Sequence, residues 1–193
     1  MKKAKVRERI YIDNEGLDEM ELDILNRRHI ERYALIRQWC YGLVLDVSCG
    51  CGYGTEMISR NPDVVRIIGV DKSPEAIEWA NKHFCKKPYI NLPTNTEFVC
   101  SSIEEFTEPA NVLVSIETVE HLKNPIVLNE LAERCEVETI FISYPSKKTT
   151  HYNKHHHNDF IDDDIIRIFK NYKVTDVIDL HREVRILKLE KYV

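Results

Sequence analysis

The sequence carries two groupings of residues suited to chemistry. In VLDVSCGCGYG, residues 44–54, glycines occupy positions 50, 52 and 54 directly after an apolar run, three of the six in the chain. Glycines in a turn from a buried strand to a helix let a ligand lie against backbone amides at the carboxyl edge of a sheet. The spacing is GxGxG, whereas the dinucleotide fingerprint GxGxxG sets a helix N-terminus against a pyrophosphate. This turn therefore suits a ligand without that group. Asp71, ending the next apolar run, is placed to accept hydrogen bonds from both hydroxyls of a ribose. Ribose without pyrophosphate points to S-adenosylmethionine.

The second grouping is ETVEH, with Glu117, Glu120 and His121 at i, i+3 and i+4. On a helix or tight turn that spacing brings three ligand-type groups to one face, a set able to hold a divalent ion such as magnesium or manganese. The competing expectation is structural: Glu117 caps a helix start and His121 packs locally. Cys49 and Cys51 stand at C-x-C spacing, but no second cysteine pair lies near them in sequence, which argues against a zinc site.

The elements that must position these groups alternate. Residues 17–40 keep Leu17, Met20, Ile24, Ile30, Tyr33, Ala34 and Ile36 at largely helical spacings, an amphipathic helix broken once. LVLDVS and VRIIGVD are strands buried on both faces, with a helix at EMISRN between them. SPEAIEWANKHF opens with Ser73 as N-cap, Pro74 at the first helical position and Glu75 in the first turn. TEFVCSS, NVLVSIE and TIFISYP continue the strands, with helical segments expected near SIEEF and PIVLNELAERC. After a loop at 145–159 come a helix at DFIDDDIIRIFKNY and two strands joined by His181 and Arg182, an antiparallel pair closing a parallel sheet with helices on both faces.

A chain of 193 residues with 43% apolar and 31% charged content suits one soluble domain spanning 1–193. No apolar run approaches the roughly 20 residues that cross a bilayer, so no membrane partner is expected. The basic start, with Lys2, Lys3, Lys5, Arg7 and Arg9, runs into acids rather than an apolar core and does not read as a secretory signal. Six scattered cysteines read as reduced thiols, and the expected location is the cytoplasm. The net charge of −5 argues against a general polyanion binder.

LDVSCGCGYG, GVDKSPEAIEWA, FVCSSIEEF and VSIETVEHL, in that order, resemble the successive motifs of class I S-adenosylmethionine-dependent methyltransferases, from about Arg28 to the C-terminus. A helix of the form HxxRY, here His29, Arg32 and Tyr33, precedes the first motif as in bacterial members. The ExxEH pattern resembles that of the ubiquinone-biosynthesis O-methyltransferases and the small-RNA ribose 2′-O-methyltransferases, both of which use a divalent cation. NKHHHNDF resembles the NxxHxx(E/D)(F/Y) stretch of several methyltransferase groups and aligns His156 as a fourth metal ligand beside Glu117, Glu120 and His121.

The resemblance implies an α/β fold, a three-layer Rossmann-like arrangement around a mostly parallel seven-stranded sheet with an antiparallel C-terminal strand pair. It implies that Asp46, Ser48, Gly50 and Gly52 border the methionine moiety, Asp71 and Lys72 the ribose, Ser102 and Ile103 the adenine, and Ile116 the sulfonium. Arg32 either pairs with the cofactor carboxylate or with a neighbouring acid, Glu31 or Asp23. His121 or Glu117 would take the acceptor's proton. Ser48 stands where the commonest pattern has glycine, Ser102 where many members have an adenine-contacting aspartate, and Asn111 where an aspartate often opens the fourth strand. The expected acceptor is a hydroxyl of a small molecule or sugar; the alternatives are the ribose of an RNA, with Lys147, Lys148 and Lys154 in the same loop as His156, and a nucleotide-binding module without turnover. Residues 1–40 and the 145–159 loop are expected to roof the acceptor side.

Overall fold

A computed structural model describes residues 24–85 and 95–192. The basic arm and positions 17–23 of the leading amphipathic stretch lie outside the described residues. Helix α1 (Ile24–Ile36) runs into a 3-10 turn at Arg37–Trp39, so the expected break falls after Ile36. Then follow β1 (Gly42–Val47), α2 (Tyr53–Ser59), β2 (Val64–Asp71), α3 (Pro74–Phe84), β3 (Asn95–Cys100) and β4 (Val112–Ser115). A 3-10 turn at Val119–His121 leads to α4 (Val127–Arg134), β5 (Thr139–Pro145), α5 (Asp162–Ile168), β6 (Tyr172–Leu180) and β7 (Val184–Lys191).

The seven strands order as β3-β2-β1-β4-β5-β7-β6, with β1 to β5 mutually parallel and β7 antiparallel to both neighbours. Side chains alternate across this sheet, and each face buries its own core. Val44, Ile67, Val114 and Phe141 meet Ile30, Tyr33 and Ile36 of α1, Ile58 of α2 and Ala80 of α3 on one side. Leu45, Ile68, Leu113 and Ile142 meet Leu128 and Leu131 of α4 and Ile165 of α5 on the other. That is the expected three-layer α/β fold, and the reason the central strands carry apolar residues on both faces.

Local chemistry sets the element ends. The Ser73 side chain accepts from Ala76 N–H (3.3 Å) ahead of Pro74, the predicted cap. His181 and Arg182 both take positive φ, +55° and +57°, and Glu183 N–H closes on Leu180 C=O at 3.0 Å, the two-residue reverse turn whose twist matches paired strands. The helix expected near SIEEF is instead a single turn, in which Glu105 and Phe106 N–H both reach Ser102 C=O. Pro109 follows closely, and the Arg134 guanidinium satisfies the carbonyls of Ile103 (2.7 Å) and Phe106 (2.8 Å) that a longer helix would have used.

Strand order reverses between β1 and β4, and such a reversal opens a crevice at the carboxyl ends of the diverging strands. Helix α1 is held over this edge by Tyr33, whose ring fills the space beside Gly54: a Cβ there would lie 2.2 Å from the ring. Gly54→Ala is accordingly expected to lower the unfolding free energy of the ligand-free protein by about 1–3 kcal/mol through overpacking against Tyr33. A denaturant midpoint equal to that of the wild type would contradict this packing role.

Candidate active site

The glycine turn leaving β1 divides by what each position meets. Gly54 admits Tyr33, and a Cβ on Gly52 would lie 2.6 Å from the Phe98 ring and 2.8 Å from Ala80. Two of the three alternate glycines thus make room for the protein's own side chains. Only at Gly50, φ +57°, would an added Cβ meet nothing within 4 Å among the described residues. Ser48, exposed at the head of the turn, also takes a left-handed φ of +56°, which is costly for a residue with a side chain and is the conformation a glycine adopts without strain.

Asp71 ends β2 with its carboxylate turned toward that turn. Oδ2 accepts from Gly50 N–H at 3.0 Å and Oδ1 from Ser73 N–H at 2.8 Å. These two backbone bonds fix the plane of the carboxylate. Lys72 beside it is exposed. Across the edge, Ser102 donates to Glu105 Oε2 (3.2 Å), Ile103 packs into the α4-side core, and Ile116 packs into the α1-side core.

Asp46 is turned inward. It is wholly buried and accepts from Thr55 Oγ1 (2.6 Å) and Tyr33 OH (3.3 Å). Burial pushes its carboxyl up to about 7, against the two hydrogen bonds, with Asp71 adding to the rise. Through these bonds it pins α1 and α2 to β1.

Arg32 is 6% exposed; of its two expected acidic neighbours, Glu31 bonds His181 (2.8 Å) and Asp23 lies outside the described residues. Its Nη1 bonds His29 Nδ1 at 3.0 Å and its Nη2 lies 3.6 Å from Glu117 Oε2. Its Nε is buried with no hydrogen-bond partner among the described residues. A buried guanidinium with an unmade donor is costly, and the groups that resolve the cost are anions.

Of the four expected metal ligands, Glu120, His121 and His156 offer ligand atoms within 4.8 Å of one another. Groups about 2.1 Å from a common ion sit at most about 4.2 Å apart, so the group is slightly wider than a coordination sphere. Glu117 lies apart: its carboxylate accepts from Ser143 Oγ (3.2 Å) and faces Arg32. Glu120 is fully buried on the 3-10 turn, and neither carboxylate oxygen has a hydrogen-bond partner among the described residues. Burial, then the nearby Glu117 charge, hold its carboxyl well above the usual carboxylate range.

The two imidazoles are oriented from behind. His121 Nδ1–H donates to the His155 carbonyl (3.1 Å). The Thr149 hydroxyl donates to Asp159 Oδ1 (3.4 Å) and so accepts from His156 Nδ1–H (2.6 Å). The rings meet edge to face at 4.6 Å. With Nδ1 of each ring bonded on the side away from the group, Nε2 is the nitrogen that would coordinate an ion, the outer arrangement usual behind metal-binding histidines. Asp159, held down to about 2 by Thr150 and Thr149, also ties the loop with Thr149 N–H (2.6 Å). His157 N–H bonds Glu120 C=O (2.8 Å) and Asn158 bonds Leu122 C=O (2.8 Å), so residues 145–159 are clasped to the 3-10 turn.

Sequence reasoning did not single out Ser143, Thr149 or Asp159. Ser143 was visible as the one serine inside the apolar run of TIFISYP, and Asp159 as the one acid of the NKHHHNDF stretch.

Burial and the Arg32 guanidinium push His29 down from 6.5 to about 4, against a smaller upward pull from Glu117. An unfolded chain therefore takes up this proton first, so stability is lost as pH falls from 6.5 toward about 4. His29→Gln is expected to flatten that fall in the denaturant midpoint, and an equally steep fall in the variant would contradict the assignment.

A methyltransferase-domain family profile matches residues 44–137. The mitochondrial ubiquinone biosynthesis O-methyltransferase of Saccharomyces cerevisiae is 30% identical over 92 residues, 48% of this chain and 28% of that protein, so the chain matches less than a third of this relative's length. Among solved structures, the N-methyltransferase NodS of Bradyrhizobium japonicum WM9 in complex with S-adenosyl-L-homocysteine superposes with a TM-score of 0.70 at 15% identity, covering 90% of this chain and 91% of that one. The magnesium protoporphyrin IX methyltransferase ChlM of Synechocystis PCC 6803 with bound S-adenosylmethionine gives 0.70 at 13% identity, covering 94% of each chain. The fold is thus shared along nearly its whole length with these solved methyltransferases, and the methyltransferase-domain profile is matched across the glycine turn, Asp71 and ETVEH.

Proposed function

We propose that the chain transfers a methyl group from S-adenosylmethionine to a hydroxyl oxygen of a small molecule or sugar, with a divalent cation, magnesium or manganese, held by Glu120, His121 and His156. The observation that carries the cation is Glu120: a buried carboxylate with both oxygens unpartnered, beside two imidazoles whose Nδ1 positions are already committed. A mixed oxygen and nitrogen donor set of this kind fits a first-row or hard divalent ion. The yeast relative's name, an O-methyltransferase, agrees with an oxygen acceptor. Six free thiols fit a reducing compartment such as the cytoplasm, and no helix among the described residues is long and apolar enough to cross a membrane.

The sulfonium of the cofactor supplies a methyl group that is already activated, so the chain's own task is placement, worth roughly 7–11 kcal/mol in favourable cases. Gly50 gives the cofactor backbone to lie on, with Ser48 and Gly52 in the same turn. Asp71 orients the ribose, with Lys72 beside it; Ser102 and Ile103 flank the adenine and Ile116 the sulfonium. Arg32, through its unmade Nε donor, takes the carboxylate.

A cation in the Glu120 group supplies Lewis-acid polarisation of an acceptor oxygen. One imidazole nitrogen cannot both hold an ion and accept a proton, so His121 is assigned as a ligand and Glu117 as the base. Glu117 is suited to this because it stands outside the group of three and remains about a quarter exposed, its side chain at 24%.

A second reading, an RNA ribose as acceptor, is favoured by exposed Lys147, Lys148 and Lys154 on the loop that carries His156. Binding to an RNA 3′ end that weakens steeply with salt would select it; salt-insensitive turnover of a small hydroxyl compound selects the first.

The direct test is S-adenosylhomocysteine production from S-adenosylmethionine with a panel of hydroxyl acceptors, abolished by chelation and restored by manganese. Production that ignores chelation would remove the cation from the proposal, and none with any acceptor would favour a binding module without turnover. Asp71→Ala is expected to weaken S-adenosylhomocysteine binding at least about tenfold by calorimetry, because charge-assisted hydrogen bonds are lost; unchanged affinity would contradict the ribose role. Glu120→Met is expected to abolish manganese binding while raising the stability of the ligand-free protein by about 1–3 kcal/mol, the cost of an unsatisfied buried group. That gain grows as pH rises, because the unfolded chain releases this proton first. A less stable variant, or one that still binds manganese, would contradict the role.

A further inference from the structure

Glu117 has a backbone conformation that a glutamate does not choose. Its φ is +51°, in the left-handed region, which costs a side-chain-bearing residue about 1–2 kcal/mol. Such a conformation persists where surrounding contacts over-determine it. Here the contacts come from one hydroxyl: Ser143 Oγ accepts from Glu117 N–H at 2.8 Å and donates to Glu117 Oε1 at 3.2 Å.

The placement explains why a serine stands in an otherwise apolar strand. β4 ends at Ser115, paired with Ile142, while β5 continues through Ser143 to Pro145. Beyond Ser115 there is no further ladder partner for the departing chain, and the side chain of Ser143 supplies the acceptor that the backbone of β5 does not. The main chain then turns at Glu117 into the 3-10 turn that carries Glu120 and His121. Ser143 is fully buried, where a hydroxyl is costly unless bonded, and both its donor and its acceptor capacity are used on the same residue.

We propose that Ser143 is a positioning residue: by gripping both the amide and the carboxylate of Glu117 it holds the left-handed turn that keeps Glu117 on Arg32 and sets Glu120 and His121 toward His156. This rests on the cation reading above.

The test compares the full chain with Ser143→Ala, Ser143→Thr and Ser115→Ala, measuring manganese affinity by calorimetry well below each melting temperature. Ser115 is an equally buried serine on the adjacent strand whose hydroxyl has no partner among the described residues, so its alanine variant reports the generic effect of deleting a buried hydroxyl. Ser143→Ala is expected to weaken manganese binding by about 10- to 100-fold, the usual range for a group that orients metal ligands. Ser143→Thr, which keeps the hydroxyl, and Ser115→Ala are expected to bind as the wild type does. A merely structural role would lower the melting temperature of Ser143→Ala and leave its manganese affinity unchanged, which overturns the proposal. So would a threonine variant as weak as the alanine one, or a Ser115→Ala loss of equal size. A wild-type chain that binds no manganese overturns the cation reading and this proposal together, whereas a missing contrast between Ser143→Ala and a binding-competent wild type overturns this proposal alone.

Discussion

The site's cofactor side hangs from the carboxylate of Asp71, which joins three elements at once. It holds Gly50 N–H of the turn leaving β1, Ser73 N–H at the start of α3, and by its own main chain the end of β2. These bonds keep the turn after β1 drawn toward β2, on the side away from β4, so the reversal of strand order becomes a cleft with peptide backbone on one wall and ETVEH on the other. Without that tether, the left-handed conformation at Gly50 would lose the partner of its amide.

The remaining architecture is arranged around ionisable groups removed from water. Asp46 is satisfied by two hydroxyls, and burial lifts its carboxyl to about 7. His29 is kept neutral beside a guanidinium. Glu120, its carboxyl likewise held high by burial, has no hydrogen bond to either side-chain oxygen among the described residues, and Arg32 has only some of its donors satisfied there. A fold selected for stability alone would fill these positions with apolar side chains, since buried charges rarely add net stability. Their joint presence at one edge of the sheet marks the place where binding, rather than folding, settles the electrostatics.

Most of the fold was legible because its signals are local and strong: unbroken apolar strands, the Ser73-Pro74 cap, and a two-residue reversal between β6 and β7. The helix expected near SIEEF was not, because Arg134, distant in sequence, satisfies carbonyls there in a way no local pattern announces. For the candidate site, the spacing in ETVEH pointed to Glu120 and His121, the resemblance of NKHHHNDF to a family stretch pointed to His156, and the three do lie together. Residue types and spacing could not separate the glycines that admit Tyr33 and Phe98 from the one facing open space, since the GxGxG spacing is blind to which side chain packs from α1 or β3. Glu117 was grouped with Glu120 on helical spacing. The positive φ at Glu117 breaks that spacing, and its carboxylate bonds Ser143 and faces Arg32, outside the group of Glu120, His121 and His156.

If the cleft takes an adenosyl group carrying sulfur rather than a pyrophosphate, calorimetric titration of the purified chain gives a one-to-one isotherm with S-adenosylhomocysteine and none with NAD. Saturable binding of NAD with no heat from S-adenosylhomocysteine would overturn that reading.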